Sequence, residues 1–156
     1  MRTSASLAEE QTLVRAVQEG DGNAFGLLVD RYLDSAYATA MSVLRNAHDA
    51  EDAVQGAFIR ALERIDQLKP GSPFGPWFYR VLRSTCLNLR RREALRSHDD
   101  IPASAAGGRN PEKDLERELT REKVIGALGE LPEMQRLAVT LYDLEGYSHK
   151  EIADIL

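Results

Sequence analysis

The chain has 156 residues, 25 of them acidic and 20 basic, for a net charge of −5, and 43% are hydrophobic. That composition can bury one or two small cores. No apolar run approaches the roughly 20 residues of a membrane span, and the N-terminus lacks the apolar stretch of a signal peptide. One cysteine, Cys86, excludes an internal disulfide, and His48, His98 and His149 are scattered without metal-ligand spacing. The expectation is a cytoplasmic protein without membrane insertion, metal or cofactor. Few aromatics and many Ala and Leu favour helix over sheet.

In chain order, residues 7–19 form a short helix with Leu13, Val14 and Val17 on one side. The stretch Gly20-Asp-Gly-Asn23 breaks it, and Asp21 or Asn23 can cap the next helix. That second helix, 24–44, carries Phe25, Leu28, Val29, Tyr32, Ala36, Tyr37, Ala40 and Leu44 at intervals dominated by three and four. A turn at 46–49 leads to a third helix, 50–68. Its apolar stripe runs from Ala50 through Ala53, Val54, Ala57, Phe58, Ala61, Leu62 and Ile65 to Leu68. Its outer face presents Glu51, Asp52, Gln55, Arg60, Glu63 and Arg64. Three prolines in the next eight residues end it.

The fourth helix, 74–96, is the one around which the others are organised. At 100° per residue, Phe74, Phe78, Val81, Leu82, Thr85, Cys86 and Leu89 share one arc. Arg80, Arg83, Ser84, Asn88, Arg90 and Arg91 share the other, with Trp77 at its edge. Six arginines stand against the single acid Glu93, a local charge of +5 in an acidic protein. This points to a phosphate-binding face turned outward, although an arginine-rich C-terminal end is also what a helix dipole favours. Cys86 on the apolar arc reads as a packing thiol.

Residues 97–111 are rich in Ser, Ala, Gly, Asp and Pro and read as a flexible linker. A helix over 112–130 carries Leu115, Leu119, Val124, Ile125 and Leu128, and another over 132–144 turns Leu137, Ala138 and Leu141 inward. Gly146 closes it. Ser148 and Glu151 form a capping box that opens a last helix, 149–156, with Ile152, Ala153 and Leu156 on one face. The sequence stops in mid-helix, with Ile155 and Leu156 expected to be exposed, so a truncated form of a longer protein is expected.

Four stretches in this order resemble the extracytoplasmic-function (ECF) group of the sigma-70 family of bacterial RNA polymerase sigma factors. They are Asp49-Ala-Glu-Asp-Ala-Val-Gln-Gly-Ala-Phe58, Pro76-Trp-Phe-Tyr-Arg80 with its arginine-rich continuation, Leu131-Pro-Glu-Met-Gln-Arg136, and Glu145-Gly-Tyr-Ser-His-Lys-Glu-Ile-Ala153. The resemblance implies an all-α protein of two small domains. A sigma-2-like four-helix domain would span 1–96, and a sigma-4-like helix-turn-helix domain, lacking its recognition helix, would span 112–156. It also implies a function: directing core RNA polymerase to promoters and initiating transcription, with the 69–92 loop and helix recognising and opening the −10 element.

The same resemblance assigns residues. Asp49, Glu51, Asp52 and Gln55 would bind polymerase, whereas Phe58 also lies on the apolar stripe and reads as core. Lys69, Ser72, Trp77, Arg80, Arg83, Ser84, Asn88, Arg90 and Arg91 would bind the single-stranded −10 non-template strand. Arginines suit the backbone and aromatic faces suit bases, at about 1–3 kcal/mol per stacked base; Trp77 either stacks or braces the loop from the core edge. Gly56 and Ser84 depart from the family pattern, where Glu and Asn are usual. Residues 112–156 hold six bases against eleven acids, so −35 recognition is expected to be lost. An anti-sigma factor is a further expected partner. The absence of a Gly-rich phosphate loop or a Ser/His/Asp arrangement speaks for a non-enzyme. The alternatives are a sigma-like decoy that sequesters an anti-sigma factor, which need not keep the basic arc, and a plain helix-turn-helix repressor, which needs only one reading domain.

Overall fold

The computed structural model describes residues 3–96 and 111–156, without the side chains of 111–118, 125 and 144. The expected linker, apart from Pro111, lies outside the described residues. The described residues are helical and contain no strand. In order they form α1 (Ser4–Gln18), α2 (Gly22–Leu44), α3 (Ala47–Arg64), a 3-10 turn (Ile65–Gln67), α4 (Phe74–Arg96), α5 (Pro111–Glu130), α6 (Glu133–Val139), a π turn (Thr140–Leu144) and α7 (His149–Ile155).

Local chemistry sets the boundaries. The Thr3 hydroxyl accepts from the Ser6 N–H, so α1 begins three residues before the periodicity becomes visible. Asp21, not Asn23, caps α2 by accepting from the N–H groups of Asn23 and Ala24. Asn46 accepts from the Asp49 N–H, which turns the expected 46–49 loop into the first turn of α3. At its other end α3 tightens into the 3-10 turn instead of running on to Leu68. The helix α4 has the bounds expected from sequence. Pro111 opens α5, and the capping box at Ser148 and Glu151 is made in full.

Helices α1–α4 share one core. Ala36, Ala40, Ala50, Ala53, Ala57 and Ala61 are each at most 1% exposed, and such small side chains let α2 and α3 approach closely. An aromatic stack fills the centre. Phe78 lies 4.6 Å from Phe58 and 5.5 Å from Phe74, and Tyr32 and Tyr79 pack around it. Phe58 is therefore core, as its place on the stripe implies. Leu62 is not: it stands 46% exposed at the outer edge of α3. Leu119 and Val124 of α5 are likewise exposed.

The C-terminal helices pack onto the N-terminal ones. The Tyr79 and Tyr147 rings meet edge to face at 5.6 Å, and α7 lies on α4. This overturns the expectation of exposed terminal residues: Ile155 is buried and Leu156 is half-buried, while Ala153 points outward. Sequence periodicity orients a short helix only if its packing partner is known, and here the partner is α4.

Candidate nucleic-acid interface

The helix α4 begins where its backbone is best supported. The Phe74 N–H donates to Glu10 Oε1 of α1 at 3.1 Å, and Pro76, in the first turn, has no N–H to leave unpaired. Phe74, Phe78, Leu82 and Cys86, four residues apart, are all 0% exposed. That fixes the opposite arc. Arg80, Ser84, Asn88, Arg90 and Arg91 are exposed.

Not all of the arc is open to solvent, because α6 and α7 lie over part of it. Arg83 is half-buried, and its Nη2 contacts Met134 Sδ at 3.4 Å. Arg90 pairs with Glu133. A groove of about 410 Å³ runs between Arg80, Arg83, Asn88 and Arg91 on one wall and Asp154, Ile155 and Leu156 on the other. The expectation of a basic face turned wholly outward is thus corrected: the C-terminal segment shares it, with Glu133 paired to Arg90 and Asp154 on the groove wall. Trp77 is half-buried, with its ring 5.8 Å from that of Phe74. It sits at the core edge beside the loop.

The loop, residues 68–73, is turned by Gly71 at φ 82° and by a Ser72 N–H to Lys69 carbonyl bond of 3.0 Å. Lys69 is exposed and Ser72 half-buried. On α3, Glu51, Asp52 and Gln55 are exposed and Asp49 is half-buried in the first turn. His48 Nε2 lies 3.7 Å from Asp52 Oδ2. Ile59 and Leu62, 53% and 46% exposed, extend this face with an apolar patch. The sequence reading missed Ile59 because a lone apolar residue off the stripe carries no periodic signal.

Two further residues were missed. Glu10 is 1% exposed and accepts from both the Phe74 N–H and the Tyr32 hydroxyl. Its spacing from Val14 and Val17 places it on the apolar side of α1, a signal that was available. Arg136 is buried and donates to the carbonyls of Leu128, Leu131 and Ser42. Burial pushes the Cys86 thiol up to about 12, which makes it a packing group. Burial, then the charge of Glu145, raises the Tyr79 phenol. No three His, Cys, Asp or Glu side chains among the described residues gather as a metal site.

Known proteins match both halves of the chain. Residues 28–96 fit the family description Sigma-70 region 2, and residues 121–156 fit Sigma-70, region 4. The chain is 37% identical to the ECF RNA polymerase sigma-E factor of Escherichia coli (strain K12), over 94% of this chain and 82% of that protein. The sigma-E factor of Haemophilus influenzae is 32% identical, with 94% and 83% covered. Among solved structures, CnrH in complex with the cytosolic domain of CnrY aligns with a TM-score of 0.68 at 25% identity, covering 94% of this chain and 82% of that one. An engineered region 2 of sigmaE in complex with GTAAAA, solved by NMR, aligns with a TM-score of 0.54 at 34% identity, covering 57% and 93%.

A helical region 2 carrying a basic helix, followed by a region 4, defines a sigma-70-type protein. Within that class, the chain belongs to the ECF RNA polymerase sigma factors.

Proposed function

We propose that the chain directs core RNA polymerase to specific promoters and initiates transcription, reading and opening the −10 element with the 69–92 loop and helix. The observation that carries this reading is the polar and cationic arc of α4 standing beside an exposed, turned loop. The same region has a structural neighbour in complex with GTAAAA. Arg80 and Arg91, with Arg83 and Arg90 once they are released, hold the strand by its phosphates, while Ser84 and Asn88 offer hydrogen bonds between them. Lys69 and Ser72 receive a base. Trp77, packed on Phe74, supports the loop from behind.

The polymerase is gripped by the outer face of α3, through Asp49, Glu51, Asp52 and Gln55. Ile59 and Leu62 supply apolar area that an acidic face alone lacks. In this division of labour, 1–96 binds polymerase and the −10 strand, 97–111 links, and 112–156 is the region 4 part. The reading gives no residue a catalytic role, needs no cofactor and places the protein in the cytoplasm with the polymerase. The neighbour CnrH is in complex with the cytosolic domain of CnrY, which supports an anti-sigma factor as a further partner here.

The C-terminal segment enters this mechanism. Arg83 and Arg90 cannot serve Met134 and Glu133 and a DNA strand at once. Strand binding therefore displaces α6 and α7 from α4.

The test is promoter selection from a randomised library by polymerase reconstituted with this chain, followed by permanganate probing of strand opening. A recovered −10 sequence with reactive thymines across it is expected. Recovery no different from core polymerase alone would refute the function.

A further inference from the structure

The segment between α3 and α4 has few bonds of its own, yet it is tied at both ends and in the middle, and each tie comes from α1. At its start, Gln18 Nε2 donates to the carbonyls of Ile65 at 2.8 Å and Leu68 at 3.1 Å. In the middle, Gln11 Nε2 donates to the Gly71 carbonyl at 3.0 Å. At its end, Glu10 accepts from the Phe74 N–H at 3.1 Å. The Ile65 carbonyl also accepts from the Leu68 N–H, whereas the Leu68 carbonyl and the Phe74 N–H lie where helix geometry supplies no partner, so α1 completes the end of one helix and the start of the next. A carboxylate is also the group that the N-terminal dipole of α4 favours. Glu10 is held in turn by the Tyr32 hydroxyl of α2. Residues 4–18 precede the 28–96 stretch that fits the region 2 description.

We infer that α1 is the positioning element of the −10 loop, with Glu10, Gln11 and Gln18 fixing the shape in which it receives a base. This rests on the proposal that the 69–73 loop is the base receiver. The arginines of α4 track the backbone wherever the loop sits, but selectivity between bases needs polar groups held to within about half an ångström. Loosening the brace therefore costs discrimination and leaves phosphate affinity in place.

The experiment measures binding of polymerase reconstituted with this chain to two fluorescent single-stranded oligonucleotides. One carries the −10 sequence selected from the library; the other is the same strand scrambled. Gln11→Ala and Gln18→Ala lie at the surface or half-buried and leave the core intact. Each is expected to lower the ratio of selected to scrambled affinity by about threefold to tenfold, the worth of one or two hydrogen bonds. The salt slope and the affinity for polymerase stay unchanged. Glu10→Gln keeps an acceptor for the Phe74 N–H and retains most of the ratio, whereas Glu10→Ala loses it. Wild-type ratios in both glutamine variants, with a reduced ratio in Ser72→Ala, would overturn the brace and leave the loop reading standing. A ratio indifferent to Lys69→Ala and Ser72→Ala as well would overturn both.

Discussion

Arg136 joins the two halves of the molecule through one guanidinium. Its Nε and Nη2 reach the carbonyls of Leu128 and Leu131, both at 2.9 Å, and its Nη1 reaches the Ser42 carbonyl in the last turn of α2. These carbonyls lie at or just beyond the ends of α5 and α2, where helix geometry leaves acceptors unpaired. A hydrogen bond to a charged donor contributes about 1.5–3 kcal/mol, and three on one side chain do not add in full. Arg136→Ala should therefore weaken the C-terminal segment by about 3–5 kcal/mol, of which about 1.5–3 kcal/mol belongs to the bond with Ser42. At about 1.4 kcal/mol per factor of ten, that shifts the balance between docked and undocked segment by about tenfold to a hundredfold. Docking occupies Arg83 and Arg90, and affinity scales with the fraction of molecules competent to bind. The free variant should therefore bind a single-stranded −10 oligonucleotide more tightly, by up to that factor, in fluorescence anisotropy at fixed salt. Faster amide exchange across α6 would show that the segment has let go. Faster exchange with unchanged strand affinity would refute the idea that the segment competes with DNA.

The core yields three more expected outcomes. A Cβ built on Gly56 would lie 3.6 Å from Thr85 Cγ2, an ordinary contact, so Gly56→Ala should raise stability by about 0.5–1 kcal/mol in urea unfolding; a loss would show that this helix crossing is tighter than it looks. Phe78→Ala empties the centre of the aromatic stack and should cost about 3–5 kcal/mol, read from the same unfolding curves. The Cys86 thiol, raised from 9.0 to about 12, should stay unreactive to a thiol probe at pH 8 until the protein unfolds. Because the folded state holds the proton more firmly, its contribution to stability is complete below about pH 9 and is lost as pH rises toward 12. A melting temperature flat across that window would contradict the burial.

What the sequence disclosed depended on where each residue's partner lay. The helix α4 was legible in full: prolines precede it, its apolar residues recur at three and four, and its bases crowd the remaining arc. The capping box of α7 was legible because both partners lie within three residues, and the cap of α2 was narrowed to Asp21 or Asn23. The ties of Glu10 to Phe74 and of Arg136 to Ser42 were not legible, because those partners stand 64 and 94 residues away. A single chain shows an acid or a base without showing the helix end that it completes. Ile155 failed for the same reason: its burial is made by α4 and not by α7. Arg80, Ser84, Asn88, Arg90 and Arg91 stand exposed along α4, but that α6 and α7 lie over part of the same arc is a fact of tertiary packing that no periodicity encodes.

The decisive measurement is the salt dependence of strand binding with core polymerase present, for the wild type and for Arg80→Ala and Arg83→Ala. Single strands release about 0.7 counterions per phosphate contact. Each substitution should lower affinity for the −10 non-template strand and flatten the slope of log affinity against log salt by about 0.7, while polymerase binding is kept. Tight polymerase binding with no preference for the −10 strand, and slopes identical in all three proteins, would contradict a working promoter reader and favour a decoy that keeps the sigma shape without its DNA contacts.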